Sequence, residues 1–161
     1  MSFFDALPAA TLDGCIGRWR GSGLHTDHPL DGLLEAFGWY GKEFVDRDTV
    51  HPLLFRDHGG GVFPLDPALM PVTRAIRHPG LLHGRAARLA FAASRHALRT
   101  ARPKARIRMM EHRGVVSATM IYDDLPILDI YRRVDDDTLL GLMDLRDMPR
   151  PFFFILRRDA R

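Results

Sequence analysis

The last third of the chain alternates short apolar runs with turn residues five times over. Residues 105–113, 115–122, 125–134, 138–145 and 152–158 are each rich in aliphatic or aromatic side chains, at lengths that suit strands. Gly114, Asp123-Asp124, Asp135-Asp136-Asp137 and Pro149-Arg150-Pro151 separate them, and these residue types favour turns. A parallel crossover needs a dozen or more residues, so connections this short force each strand to pair with its sequence neighbour. The segment reads as an antiparallel meander.

Upstream, strands are expected at residues 15–25, 39–46, 50–56 and, briefly, 62–64. In the second of these, Lys42 and Glu43 interrupt the apolar pattern. Gly59-Gly60-Gly61 reads as a hairpin connection and not as a phosphate cradle, because no Lys-Ser or Lys-Thr follows it. Eight or nine strands around one core predict a mainly-β fold, a single closed or nearly closed antiparallel barrel. Two further helices are expected before the meander. One precedes the first strand, over residues 4–12, and is weakened by Pro8. The other follows that strand, with Asp27 as N-cap, Leu30, Leu33, Leu34 and Phe37 on one face and Gly38 as the stop.

Within the first strand, Gly17-Arg18-Trp19-Arg20-Gly21 sets one indole between two glycines. The glycines allow other parts of the chain to pass close, and the indole is expected to plug one end of the core. With 161 residues, 46% of them hydrophobic, the chain reads as one domain, 1–161. It divides into an N-terminal block (15–73), a basic helical connection (74–104) and the meander block (105–160).

The formal charge of +3 conceals a sharp division. Between Asp66 and Glu111 there are ten basic residues and no acid, which leaves thirteen basic against twenty acidic in the rest. The middle is +10 and the remainder −7. A helix over residues 81–100 is expected there, with Leu82, Ala86, Leu89, Ala93 and Ala97 packing inward. Arg85, Arg88, Arg95 and Arg99 form the neighbouring stripe. A solvated face accounts for such arginines, and if they bind anything, an anionic lipid surface suits them best. The arginines lack interleaved aromatics, so nucleic acid is set aside. No segment reads as a secretory leader, which makes the cytoplasm the default address.

Little in the chain spells out chemistry. Cys15 is the one cysteine, so an intrachain disulfide and a cysteine-rich zinc site are excluded. His25 and His28, with Asp27 and Asp31, could hold a metal, but their place at a helix start favours a structural role; no metal and no cofactor are expected. If the meander alternates regularly, Glu111, Arg113, Thr119, Asp129 and Tyr131 gather inside the barrel as a small polar cluster in an apolar lining. An ordinary outward ion pair is the competing account of Glu111 and Arg113. Asp129 is the most telling of the five, since an acid between Leu128 and Ile130 needs a partner or a purpose. Trp19, Trp39 and Tyr40 complete the candidate ligand-binding set.

These motifs resemble the bacterial GXWXG family, whose members carry a second block, a domain of unknown function, toward the C-terminus. The resemblance rests on Gly17-Arg18-Trp19-Arg20-Gly21, Trp39-Tyr40-Gly41-Lys42 and Asp66-Pro67-Ala68-Leu69-Met70-Pro71. In the second block it rests on Glu111-His112-Arg113-Gly114, Arg132-Arg133-Val134-Asp135-Asp136, Gly141-Leu142-Met143-Asp144 and Arg150-Pro151-Phe152-Phe153-Phe154. The family brings no settled activity. A looser resemblance to lipocalins, fatty-acid-binding proteins and nitrobindins, which also place Gly-x-Trp early, implies a calycin-like barrel. Haem is disfavoured, because nitrobindins use a histidine near the C-terminus and none follows His112 here.

The expected function is a barrel that binds a hydrophobic molecule, a lipid or phospholipid by preference, with the basic helix facing head groups or a membrane. One alternative is an enzyme using Glu111, His112, Asp129 and Tyr131 for acid–base chemistry on an apolar substrate. The other is a solid barrel serving as an interaction module, a homodimer included.

Overall fold

The computed structural model describes residues 1–57, 59–70 and 84–159. The expected helix start at residues 81–83, with Leu82, lies outside them, as does His58. Nine strands form one antiparallel sheet: β1 (Gly17–Gly23), β2 (Trp39–Phe44), β3 (Val50–Arg56), β4 (Val62–Pro64), β5 (Ala105–His112), β6 (Val115–Tyr122), β7 (Ile127–Asp135), β8 (Thr138–Leu145) and β9 (Phe152–Arg158). Their order is β2-β1-β9-β8-β7-β6-β5-β3-β4, and a direct β2–β3 pairing closes eight of them into a barrel. β4 is an extra strand beside β3.

The first strand works as its glycines require. Trp19 is wholly buried, its indole N–H donates to the Cys15 carbonyl at 2.7 Å, and the Arg158 guanidinium covers its ring. Gly21 leaves room for a side chain: a Cβ there would stand 2.1 Å from the Trp39 ring. The close backbone approach occurs instead at Gly41. Its φ is +149°, and a Cβ would lie 1.9 Å from the Trp19 carbonyl oxygen. The β2–β3 register shifts on both sides of Gly41, the behaviour of a β-bulge. An even alternation would put Trp39 and Lys42 on opposite faces; the bulge brings both to the cavity side.

The N-terminal segment is part of the wall. β6 and β7 pair directly only from Thr119 to Ile121, and beyond that point residues 8–10 fill the gap. Ala118 N donates to Ala10 O, Arg133 N to Pro8 O, and Ala10 N to the Ser117 hydroxyl. Instead of one helix over residues 4–12 there are two short ones, α1 (Ser2–Ala6) and α2 (Leu12–Cys15), as Pro8 dictates. Phe4 packs edge-on against Phe153 in a second apolar cluster with Ile130, Leu140 and Leu142.

Two more expectations need correction. The helix after β1 shrinks to α3 (Leu33–Ala36), capped at Gly32. Asp27 adopts a φ of +58° and caps nothing; Asp31 instead accepts from Thr26 N and His28 N and closes a turn. The basic helix α4 (Arg85–Ser94) buries none of its residues. Leu89 of the expected inward stripe is 70% exposed, while Phe91 on the other face packs edge-on against Phe37, 5.0 Å between ring centroids, and tilts against Phe55. Aromatic partners on the barrel rim, invisible to a count of leucines and alanines, set the helix's rotation.

Candidate functional site

A cavity of about 530 Å³ occupies one end of the barrel interior. Trp39, Phe55, Phe152 and Phe154 wall it, α3 and Phe37 overhang it, and α4 crosses it with Ala87, Ala90, Phe91 and Ser94. The other end is packed solid by Trp19, Phe44, Ile107, Ala118 and Tyr131.

Lys42, Tyr122 and Asp129 also line the cavity and carry most of its polar chemistry. Lys42 Nζ lies 2.8 Å from Asp129 Oδ2, with both side chains almost wholly buried. It also donates to the Pro52 carbonyl at 3.1 Å and toward the Tyr122 hydroxyl at 3.4 Å. Three aromatic rings surround the ammonium, with centroids 5.7 Å (Trp39), 5.6 Å (Tyr122) and 5.0 Å (Phe154) away, within the range of cation–π attraction. Burial pushes the Asp129 carboxyl above its ordinary value, against the pull of Lys42. Burial, helped by the Asp129 charge, likewise holds the Tyr122 and Tyr131 phenols well above theirs. Three buried polar atoms at this site make no hydrogen bond among the described residues: the Trp39 indole nitrogen and both carboxylate oxygens of Asp129, of which Oδ2 meets Lys42 as an ion pair and Oδ1 meets nothing.

Of the eight residues expected to bind a ligand, Trp39 and Asp129 line the cavity. Tyr131 points inward but lies in the packed half, its hydroxyl directed at Met120 Sδ and its ring edge-on to Phe44. Trp19 belongs to that half too. Tyr40 stands outside, bonded to Asp159 and flanked by Arg20 and Arg56. Thr119 is buried but shares the outer face with Ile130, because Ala118, Met120 and Tyr122 are the inward residues of β6. Glu111 and Arg113 lie at the exposed β5–β6 turn. There Glu111 accepts from Gly114 N and Arg113 grips Asp5. β5 has already left the packed interior, as the 42% exposure of Met109 records. The acid–base quartet is therefore not assembled: Glu111 and His112 sit at that turn, away from the cavity that Asp129 lines.

Sequence reasoning missed Lys42 and Tyr122. An aromatic followed by glycine beside a strand lysine was the available signal for a bulge, and hence for an inward Lys42. Tyr122 shares the parity of Met120, so fixing the inward face of β6 would have found it.

Of the two histidines weighed as metal ligands, His28 is held by its own neighbours. His28 Nδ1 accepts from Leu30 N and Nε2 faces the Arg150 carbonyl at 3.2 Å, so both ring nitrogens are engaged. Among the described residues no three His, Cys, Asp or Glu side chains gather as a metal site. Of the four arginines proposed for an anionic surface, Arg85 and Arg88 are exposed on α4. Arg95 donates to the Arg56 carbonyl, and Arg99 pairs with Asp57 and stacks on Phe63.

Barrel, bulge and lidded cavity together define a closed eight-stranded antiparallel barrel that is hollow at one end. Residues 2–60 match the GXWXG protein family and residues 103–158 a domain of unknown function, DUF4334. A crystal structure of a protein from Thermomonospora curvata is 32% identical, with a TM-score of 0.72 over 99% of this chain and 84% of that one. The chain belongs to the GXWXG family, with the DUF4334 domain at its C-terminal end. No curated protein matches it. Among the described residues no helix is long and apolar enough to cross a membrane.

Proposed function

We propose that the barrel binds a hydrophobic small molecule, a lipid or a compound of similar apolarity, in the cavity beneath α4. The observation that carries this reading is the cavity itself. Its volume is in the range of small-molecule sites, it is lined almost entirely by apolar side chains, and a single buried ion pair lies within it. Solid packing would have filled that space, as it fills the other half of the barrel.

The lid gives a route for the ligand. Arg85, Arg88 and the exposed Leu89 occupy the outer surface of α4, a pattern suited to resting on anionic head groups. Docking there would place the cavity mouth against the source of an apolar ligand.

Organic extraction of the purified protein followed by mass spectrometry is expected to release a co-purifying apolar compound. Sedimentation with anionic vesicles is expected to pull the protein down at low salt and less at high salt. An empty extract, together with no displacement of an environment-sensitive fluorophore by any apolar compound, would sink the ligand reading. Vesicle binding insensitive to Arg85→Ser/Arg88→Ser would sink the docking role of α4.

A further inference from the structure

We infer that the cavity selects a neutral molecule carrying a hydroxyl group and discriminates against fatty acids. The inference rests on the ligand-binding reading above and narrows its ligand class. A pocket for a fatty-acid anion needs a cation with charge to spare. Here Lys42 has none, because Asp129 Oδ2 lies 2.8 Å from its ammonium and the two charges cancel inside an apolar wall. A second carboxylate would have to be buried beside the first, and like charges in a dry site repel strongly.

The groups left over point to a different partner. Asp129 Oδ1 is buried and has no donor among the described residues. It is an acceptor that gains from a ligand O–H and not from a ketone or ester. The Trp39 N–H is likewise buried without an acceptor, and Trp39 forms part of the wall around the same ammonium. An alcohol can both donate to the carboxylate and accept from a neighbouring donor, whereas an ester can only accept. Leaving a buried acceptor unpaired is costly, so the hydroxyl is rewarded beyond what its chain contributes.

The test uses three probes with one tail: tetradecanol, tetradecanoic acid and methyl tetradecanoate, each titrated against the full-length protein at pH 8 by fluorophore displacement. The alcohol is expected to bind about tenfold or more tightly than either of the others. Equal binding of alcohol and ester, or an acid that binds as well as the alcohol, overturns the inference while leaving the ligand reading intact. Binding of none of the three overturns the inference, and the ligand reading is then decided by the extraction and displacement experiments above. A variant sharpens the result: Asp129→Asn frees the Lys42 charge, and the acid is then expected to overtake the alcohol. An unchanged ranking in a folded Asp129→Asn protein would also overturn the inference. If that variant does not fold, the ranking in the unmodified protein decides alone.

Discussion

At the scale of single residues, the decisive arrangement is a lysine and an aspartate buried together inside an apolar barrel. Removing ions from water is expensive, and mutual attraction repays it only in part. Burial holds the Asp129 carboxyl up despite its partner, which is the mark of a site retained at some cost to stability. The consequence is an asymmetry between single and double substitution. Lys42→Met strands a buried carboxylate and should cost about 3–5 kcal/mol, whereas Lys42→Met/Asp129→Leu should be neutral or stabilising by about 1–4 kcal/mol relative to the unmodified protein. Urea denaturation of the three proteins checks this; a double variant as unstable as the single would show that the pair supports the fold. Asp129 was legible in the sequence, since an acid amid a β-strand's aliphatics announces a buried partner. Lys42 is missed by even alternation, because a glycine bulge shifts the phase of β2; only the Tyr40-Gly41-Lys42 sequence itself signals the bulge.

At the scale of elements, strands reveal themselves far better than their faces do. The bounds of β3, β4, β6, β8 and β9 match those read from apolar runs and turns, because each run is cut by Gly, Pro or Asp. Facing failed on β5 and β6 for physical reasons. β5 outlasts the packed interior, so Glu111 shares the parity of Ile107 yet lies in solvent. β6 is covered on both sides, inside by the core and outside by the N-terminal segment, so Ser117 and Thr119 are as buried as Ala118 and Met120. A strand covered on both faces loses the period-two signal that would orient it. The helix α4 shows the reverse case: its helical character could be read, although it spans Arg85–Ser94 within the expected 81–100, but its rotation was set by Phe37 and Phe55, far away in sequence. Since α4 buries no residue of its own, it should open independently of the barrel. In hydrogen exchange, amides of residues 88–94 are expected to exchange at least a hundredfold faster than those of β7 and β8. An apolar ligand in the cavity should slow the α4 amides selectively. Equal protection of helix and barrel would mean that α4 is part of the cooperative core and not a lid.

At the scale of the whole molecule, the charge division seen along the sequence is partly dissolved by folding. Arg99, Lys104, Arg106 and Arg108 of the basic middle pair with Asp57, Asp66 with Asp124, Asp123 and Asp48. What remains is a set of depressed pKa values that favour neutral pH, set against the raised carboxyl of Asp129, whose burial cost is relieved when it takes up a proton. Burial lowers the His28 pKa from 6.5, outweighing the Arg150 carbonyl and the Asp31 charge, which favour the protonated ring; the neutral ring also accepts from Leu30 N through Nδ1. A depressed folded-state value means that the unfolded chain takes up the proton first. The stability contributed is full above pH 6.5 and drains away as pH falls through the lower folded value. A second loss follows at greater acidity. Asp159, held low by Tyr40 and Arg20, and Asp5, held low by Arg113, contribute stability above about the usual carboxylate value of 3.8 that is lost below it. Thermal unfolding should therefore give one Tm plateau from pH 7 to 8, a first decline beginning near pH 6.5, and a steeper one below pH 4. His28→Asn, whose Oδ1 can still accept from Leu30 N but does not titrate, should erase the first decline and leave the second. If the first decline persists in that variant, His28 is not its source, and the loop that carries His28 against Phe152 at the cavity wall does not respond to mild acid.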